Sequence, residues 1–175
     1  MFRQILIATG IAGVIFFIPS SGFTQSVPAM TSPQTKPFDS ANAIVILAEM
    51  DFSTSPKKLY QALLDSKQFS TFSEISGLPP HSATIDSTVG GVFSVFGGHI
   101  IGRILELVPD HRIVEAWRVV DWPAGVYSIV RFEISAKGAG THLKFEHIGF
   151  PEGLKEHLTF GWQQHYWDPL RKFLQ

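Results

Sequence analysis

Histidines supply most of the side chains in this sequence that could do chemistry near neutral pH, and two of them stand out by position. His147 alternates with Leu143 and Phe145 along 142–150, opposite His142, Lys144 and Glu146, so it belongs to the apolar face of a strand. There it could exchange a proton or hydrogen-bond a ligand. The sequence fixes no inward acidic partner for it, which favours a core histidine satisfied by a neighbour. His165, beside Tyr166 in the last segment, has the same two readings, and Trp162 and Tyr166 carry amphipathic rings suited to a cavity mouth.

Other groupings are weaker. Glu106 and Glu115 fall in otherwise apolar strands; either would need a partner such as Arg103 or Arg118 if it pointed inward, and an outward, solvated pair is the favoured reading. His142 with His147, or His157 with His165, lacks a carboxylate at tight spacing and the i, i+4 placement of zinc-binding helices, so no metal is expected. The paired glycines of GGVFSVFGG lack the GxGxxG spacing and a following helix, and read as strand ends and a turn. No GxSxG elbow accompanies Ser94 or Ser128. No catalytic residue or cofactor is assigned, and a non-catalytic protein is favoured.

The elements that must position these residues follow from periodicity. Residues 43–52 form a β-branched, apolar strand, and Thr54 or Ser55 caps a helix with Pro56 at its first position and Leu59, Tyr60, Leu63 and Leu64 on one face. A short second helix covers about 66–72. Segments 89–99, 102–108, 112–120, 126–135 and 142–150 read as strands separated by Gly, Pro or Asp, hence an antiparallel meander. In the fourth of these, Val126, Ser128, Val130, Phe132 and Ile134 share the inward face. After Gly153, Leu154, Leu158, Trp162, Tyr166, Leu170 and Phe173 predict one long amphipathic helix that Pro169 bends or restarts.

The N-terminus has a different character. Arg3 precedes an uncharged apolar run over 5–18, and Pro19, Ser20, Ser21 and Gly22 follow, which is the order of blocks in an export signal. As a helix the run reaches about 21 Å at ~1.5 Å per residue, short of a hydrocarbon core of about 30 Å. Residues 1–24 are therefore read as a signal peptide, with cleavage after Gly22 or Ser26, and 25–41, with Pro28, Pro33 and Pro37, as a disordered linker. The folded domain is 42–175 and the expected location is the periplasm or the exterior, with the export signal as the sole membrane contact. Fifteen Phe and four Trp provide apolar surface for an autonomous core. With 14 Lys and Arg against 15 Asp and Glu, no summed field draws nucleic acid, and the lack of cysteine excludes disulfides and thiolate chemistry.

The order strand, two helices, meander, terminal helix resembles the START-like or SRPBCC superfamily. The segments GGVFSVFGGHIIGRILELVPDHRIVEAWR at 90–118, DWPAGVYSIVRFEIS at 121–135 and GWQQHYWDPLRKFL at 161–174 resemble the activator of heat-shock protein 90 ATPase homologue family within it. The resemblance implies an α+β helix-grip fold, a curved antiparallel sheet wrapped on a long C-terminal helix around a cavity, and hence a small hydrophobic ligand. Phe132, Phe145, His147, Trp162 and Tyr166 are the expected wall. It also implies a second reading, a chaperone-assisting module with a protein partner, and a third, a polyketide cyclase-like or hydrolase-like enzyme.

Overall fold

The computed structural model describes residues 44–77 and 82–175; the expected export signal and linker, 1–24 and 25–41, lie outside the described residues. Strand β1, Val45–Phe52, buries Ile46, Met50 and Phe52 and turns Leu47, Glu49 and Asp51 to solvent. Ser55 caps helix α1, Pro56–Leu64, accepting from the Lys58 N–H at 3.4 Å. Thr54 instead offers its carbonyl to the Thr141 hydroxyl, at 2.6 Å. Asp65 ends α1 and caps helix α2, Ser66–Ile75, through the Gln68 N–H at 2.8 Å. α2 runs three residues beyond the predicted end at 72, because Phe69, Phe72 and Ser73 bury one continuous face.

The predicted strand 89–99 is shorter in the structure. Only β3, Val92–Val95, is extended there, preceded by the two-residue β2, Thr84–Ile85. Positive φ angles explain the trimming: Gly90 (φ 86°) turns the chain before β3, and Phe96, Gly97 and Gly98 (51°, 63° and 94°) turn it after. β4, Ile100–Val108, starts two residues earlier than predicted and bulges at Leu105, between the pairs Ile104–Glu115 and Glu106–Val114. β5, Arg112–Val119, β6, Ser128–Lys137, and β7, Gly140–Ile148, complete an antiparallel sheet of order β1-β7-β6-β5-β4-β3-β2. Cross-strand ion pairs lace its outer face, among them Arg112 with Glu106 and Glu133 and Arg131 with Glu146.

One glycine is required for space. Phe93 pairs with Gly102, and a Cβ there would collide with the Phe93 ring and the Ala116 carbonyl. Gly102→Ala is expected to cost about 1–3 kcal/mol through overpacking. An unchanged urea midpoint would show that the ring does not lie on the glycine.

The C-terminal helix lies in the grip of the sheet. It runs as α3, Lys155–Gly161, a π-helical segment, Trp162–Trp167, and α4, Asp168–Phe173, with helical backbone angles at both junctions. The Asp168 N–H reaches back five residues to the Gln163 carbonyl. Pro169 lacks an N–H and its ring would crowd a carbonyl four residues back, and the wider π turn ahead of it accommodates both defects without ending the helix. This is the helix-grip architecture implied by the resemblance.

Candidate functional site

Three elements bring polar atoms together under the middle of the helix. β7 places His147 inward opposite Val130 of β6, and Ser128 lies two residues away on the same face. The Trp162 Nε1–H donates to His147 Nδ1 at 3.0 Å, so Nδ1 is the acceptor and Nε2 carries the proton. Nε2–H then donates to Ser128 Oγ at 2.7 Å, and the Ser128 hydroxyl donates to the Trp117 carbonyl at 2.9 Å. Each side-chain polar atom in this relay, from Trp162 through His147 to Ser128, has a partner. His147 is wholly buried, with Phe150 and Trp117 rings at 4.9 and 5.0 Å. Burial pushes its pKa down to about 3. It is a neutral core histidine with no free proton to exchange near neutral pH.

The residues expected to wall one cavity divide into two groups. Phe145 packs against Trp162 at 4.5 Å and Phe132 at 5.4 Å, and Trp167 stacks on Trp162 at 5.4 Å and 18°. The i to i+5 spacing of the π segment makes that stacking available, because it brings Trp162 and Trp167 to one side while Tyr166 stays buried. This layer is tightly packed: Phe145 and His147 are 2% and 0% exposed, and neither lines the cleft beside the helix or the small void beneath it. Phe132 and Tyr166 border a void of about 10 Å³, room for one water.

Trp162 and Tyr166 do face open space. A cleft of about 460 Å³ lies between the helix and the β4–β5 side of the sheet, walled by Phe96, Ile100, Trp117, Val119, Leu158, Phe160, Trp162 and Tyr166. His99, His157 and His165 are its other side chains, and Gly161 leaves it room. His165 Nδ1 is buried against this cleft with no hydrogen-bond partner among the described residues, and so is Trp117 Nε1. Burial lowers the pKa of His165, and the neighbouring His157 and His99 lower it further. Among the described residues no group of three His, Cys, Asp or Glu is placed to hold a metal ion. Sequence reasoning missed His99, Phe96, Ile100 and Trp117 as cleft residues, since turn and strand residues far apart in the chain show no shared period.

The two glutamates part company. Glu106 points outward and pairs with Arg112 at 3.0 Å. Glu115 corrects the outward reading: its register partners Ile104 and Val130 are fully buried, and it lines the small void with Tyr166, Phe132 and Phe69. Neither Arg103 nor Arg118 reaches it. Arg103 bonds the Gly90 carbonyl, and Arg118 bonds the carbonyls of Val119, Val120 and Trp122 while lying over the Tyr127 ring. Glu115 is partly buried, with no hydrogen bond or ion pair among the described residues, and desolvation pushes its pKa up to about 8.

Comparisons with known proteins bear on this architecture. A family model described as "Activator of Hsp90 ATPase homolog 1-like protein" matches residues 53–175. The human activator of 90 kDa heat shock protein ATPase homolog 1 is 28% identical over 149 residues, which are 85% of this chain and 42% of the human protein. The chain thus spans less than half the length of that relative. The crystal structure of an Hsp90 activator from Plasmodium falciparum matches with a TM-score of 0.68 at 30% identity, over 74% of this chain and 95% of that one. CalU16 from Micromonospora echinospora shares the fold, with a TM-score of 0.60 at 23% identity over 75% of this chain and 76% of its own.

Proposed function

We propose, from the premise that this chain belongs to the activator of Hsp90 ATPase homolog 1-like family, that it is an exported, non-catalytic binding protein that holds a small hydrophobic ligand. The aromatic cleft of about 460 Å³ beside the C-terminal helix carries the reading. Its volume lies in the range of small-molecule sites, roughly 300–1,000 Å³, and its lining is apolar with a few polar groups. Export rests on the block order of residues 1–24 and calls for the protein to be recovered without Met1 outside the cytoplasm. Recovery of the intact N-terminus from the cytoplasm alone would overturn it.

Gly161 offers a direct test of the cleft. It lies within the helix, and a Cβ there would meet no atom within 4 Å. Gly161→Ala is expected to stabilise the protein by roughly 0.5–1 kcal/mol, the usual gain for removing a helix-interior glycine. Gly161→Phe should fill the cleft and leave the fold intact. N-phenyl-1-naphthylamine, a neutral fluorescent probe, should bind the natural protein and raise its unfolding temperature, and the Phe variant should lose both effects. Equal binding by the two proteins would place the probe elsewhere and remove the ground for this reading.

A second reading is favoured by a separate observation, the likeness to Hsp90 activators in both sequence and structure. In it the domain is a chaperone-assisting interaction module. Addition of the purified domain to an Hsp90 should then stimulate ATP hydrolysis, and an unaltered rate without detectable association would exclude it. The cyclase or hydrolase reading loses its motivating residue, because His147 is neutral, fully bonded and away from the cleft.

A further inference from the structure

The cleft has a one-sided polar chemistry. Its titratable side chains are His99 from the turn before β4, His157 from α3, and His165 and Tyr166 from the π segment; no Asp, Glu, Lys or Arg lines it. Charged groups on the surrounding elements lie outside the lining, Asp121 in the turn after β5 among them. Asp168 accepts from the Gln163 amide at 2.6 Å, Arg118 is bound to carbonyls on the outer face of β5, and Glu115 opens on the void beyond Tyr166. Lys155 and Glu156 of α3 are exposed and outside the lining. His165 lines the cleft with its ring, while its Nδ1 is buried with no hydrogen-bond partner among the described residues.

Resting on the cleft reading above, we infer that the occupant is a small organic acid, an aromatic or aliphatic body with one anionic group held among His99, His157 and His165. The body would lie on Phe96, Trp117 and Trp162. Cationic imidazolium donors and an anion make charge-assisted hydrogen bonds, about twice as strong as neutral ones. An amine would meet only like charge once any of the rings is protonated. Burial first, and then the neighbouring His157 and His99, disfavour the protonated form of His165, and an anion placed beside the three rings would offset that penalty. An anion favours the protonated form of any imidazole beside it, so binding should take up protons and affinity should rise as pH falls.

Two fluorescent probes with the same ring systems separate the claims. 8-Anilinonaphthalene-1-sulfonate carries an anionic group and N-phenyl-1-naphthylamine does not. The expected result is that the sulfonate binds about tenfold tighter than the amine at pH 5.5, a difference of about 1.4 kcal/mol, and loses most of that advantage at pH 8. Titration calorimetry of the unmodified protein in buffers of different ionisation enthalpy should show net proton uptake with the sulfonate alone. The His99→Gln, His157→Gln double variant, with its urea midpoint confirming the fold, should lose most of the sulfonate preference at pH 5.5, with His165 alone remaining to meet the anion. Equal, pH-independent binding of both probes to the unmodified protein would overturn the acid assignment and leave the apolar cleft standing. If neither probe binds, the cleft reading fails as well. Retention of the sulfonate preference in Gly161→Phe would overturn the assignment by placing the anion elsewhere.

Discussion

Replacing Trp162 with alanine is expected to lower the unfolding free energy by about 3–5 kcal/mol, the range for removing a buried large aromatic side chain. The residue is 3% exposed and packs the helix against two strands of the core. Its ring touches Tyr166 at 4.1 Å and Trp167 at 5.4 Å on its own helix, Phe145 at 4.5 Å on β7, and Trp117 at 5.6 Å on β5. It also supplies the hydrogen bond to His147 Nδ1. Its loss leaves both a cavity and an orphaned buried acceptor. Trp162→Phe keeps most of the ring and loses the donor, so it should cost about 1–3 kcal/mol, the penalty for an unsatisfied buried polar group. Urea unfolding of the three proteins gives both differences. A loss below about 1 kcal/mol for the alanine variant would mean that the helix is not held by this residue.

Stability should depend on pH through two inward-facing groups with opposite signs. Glu115 releases its proton near 4.5 when the chain is unfolded and near 8 when it is folded. Between those values the folded state holds a proton that the unfolded state lacks, so stability falls as pH rises. His147 takes up a proton near 6.5 in the unfolded chain and at about 3 in the folded one. Stability therefore falls as pH drops from 6.5 towards 3. From 4.5 to 6.5 the two slopes cancel; above 6.5 only the Glu115 slope remains, a loss of roughly 2 kcal/mol by pH 8 at 1.36 kcal/mol per unit. Glu115→Gln should abolish that loss. Urea midpoints at pH 5.5, 6.5 and 8 test it, and parallel behaviour of the two proteins above pH 6.5 would show that Glu115 is not held protonated inside.

The inward faces of β6 and β7 were legible because their alternation is clean: Ser128, Val130, Phe132 and Ile134, then Leu143, Phe145 and His147, are all buried. β5 is less clear, since Val114 and Ala116 share a face with Arg112 and Arg118, while Glu115 shares one with Ile113 and Trp117. The signal was present in the parity of Glu115 with Trp117, and the general cost of burying a carboxyl outweighed it. The terminal helix was legible from its apolar stripe, but its π segment was not, because side-chain spacing does not distinguish a widened turn from an α turn. The cleft was the least legible feature. His99 and His157 meet only through the curvature of the sheet around the helix, which no local period encodes.

The π segment also fixes a phase. A helix with 3.6 residues per turn advances about 100° per residue, so deletion of one residue between Trp162 and Trp167 would shorten the helix by only about 1.5 Å. It would nevertheless swing Pro169 and Leu170, both buried, about a quarter-turn around the axis and bring other residues to the sheet. Length in this stretch is thus equivalent to azimuth, and its residue count is constrained more tightly than the identity of its exposed members Gln163 and Gln164.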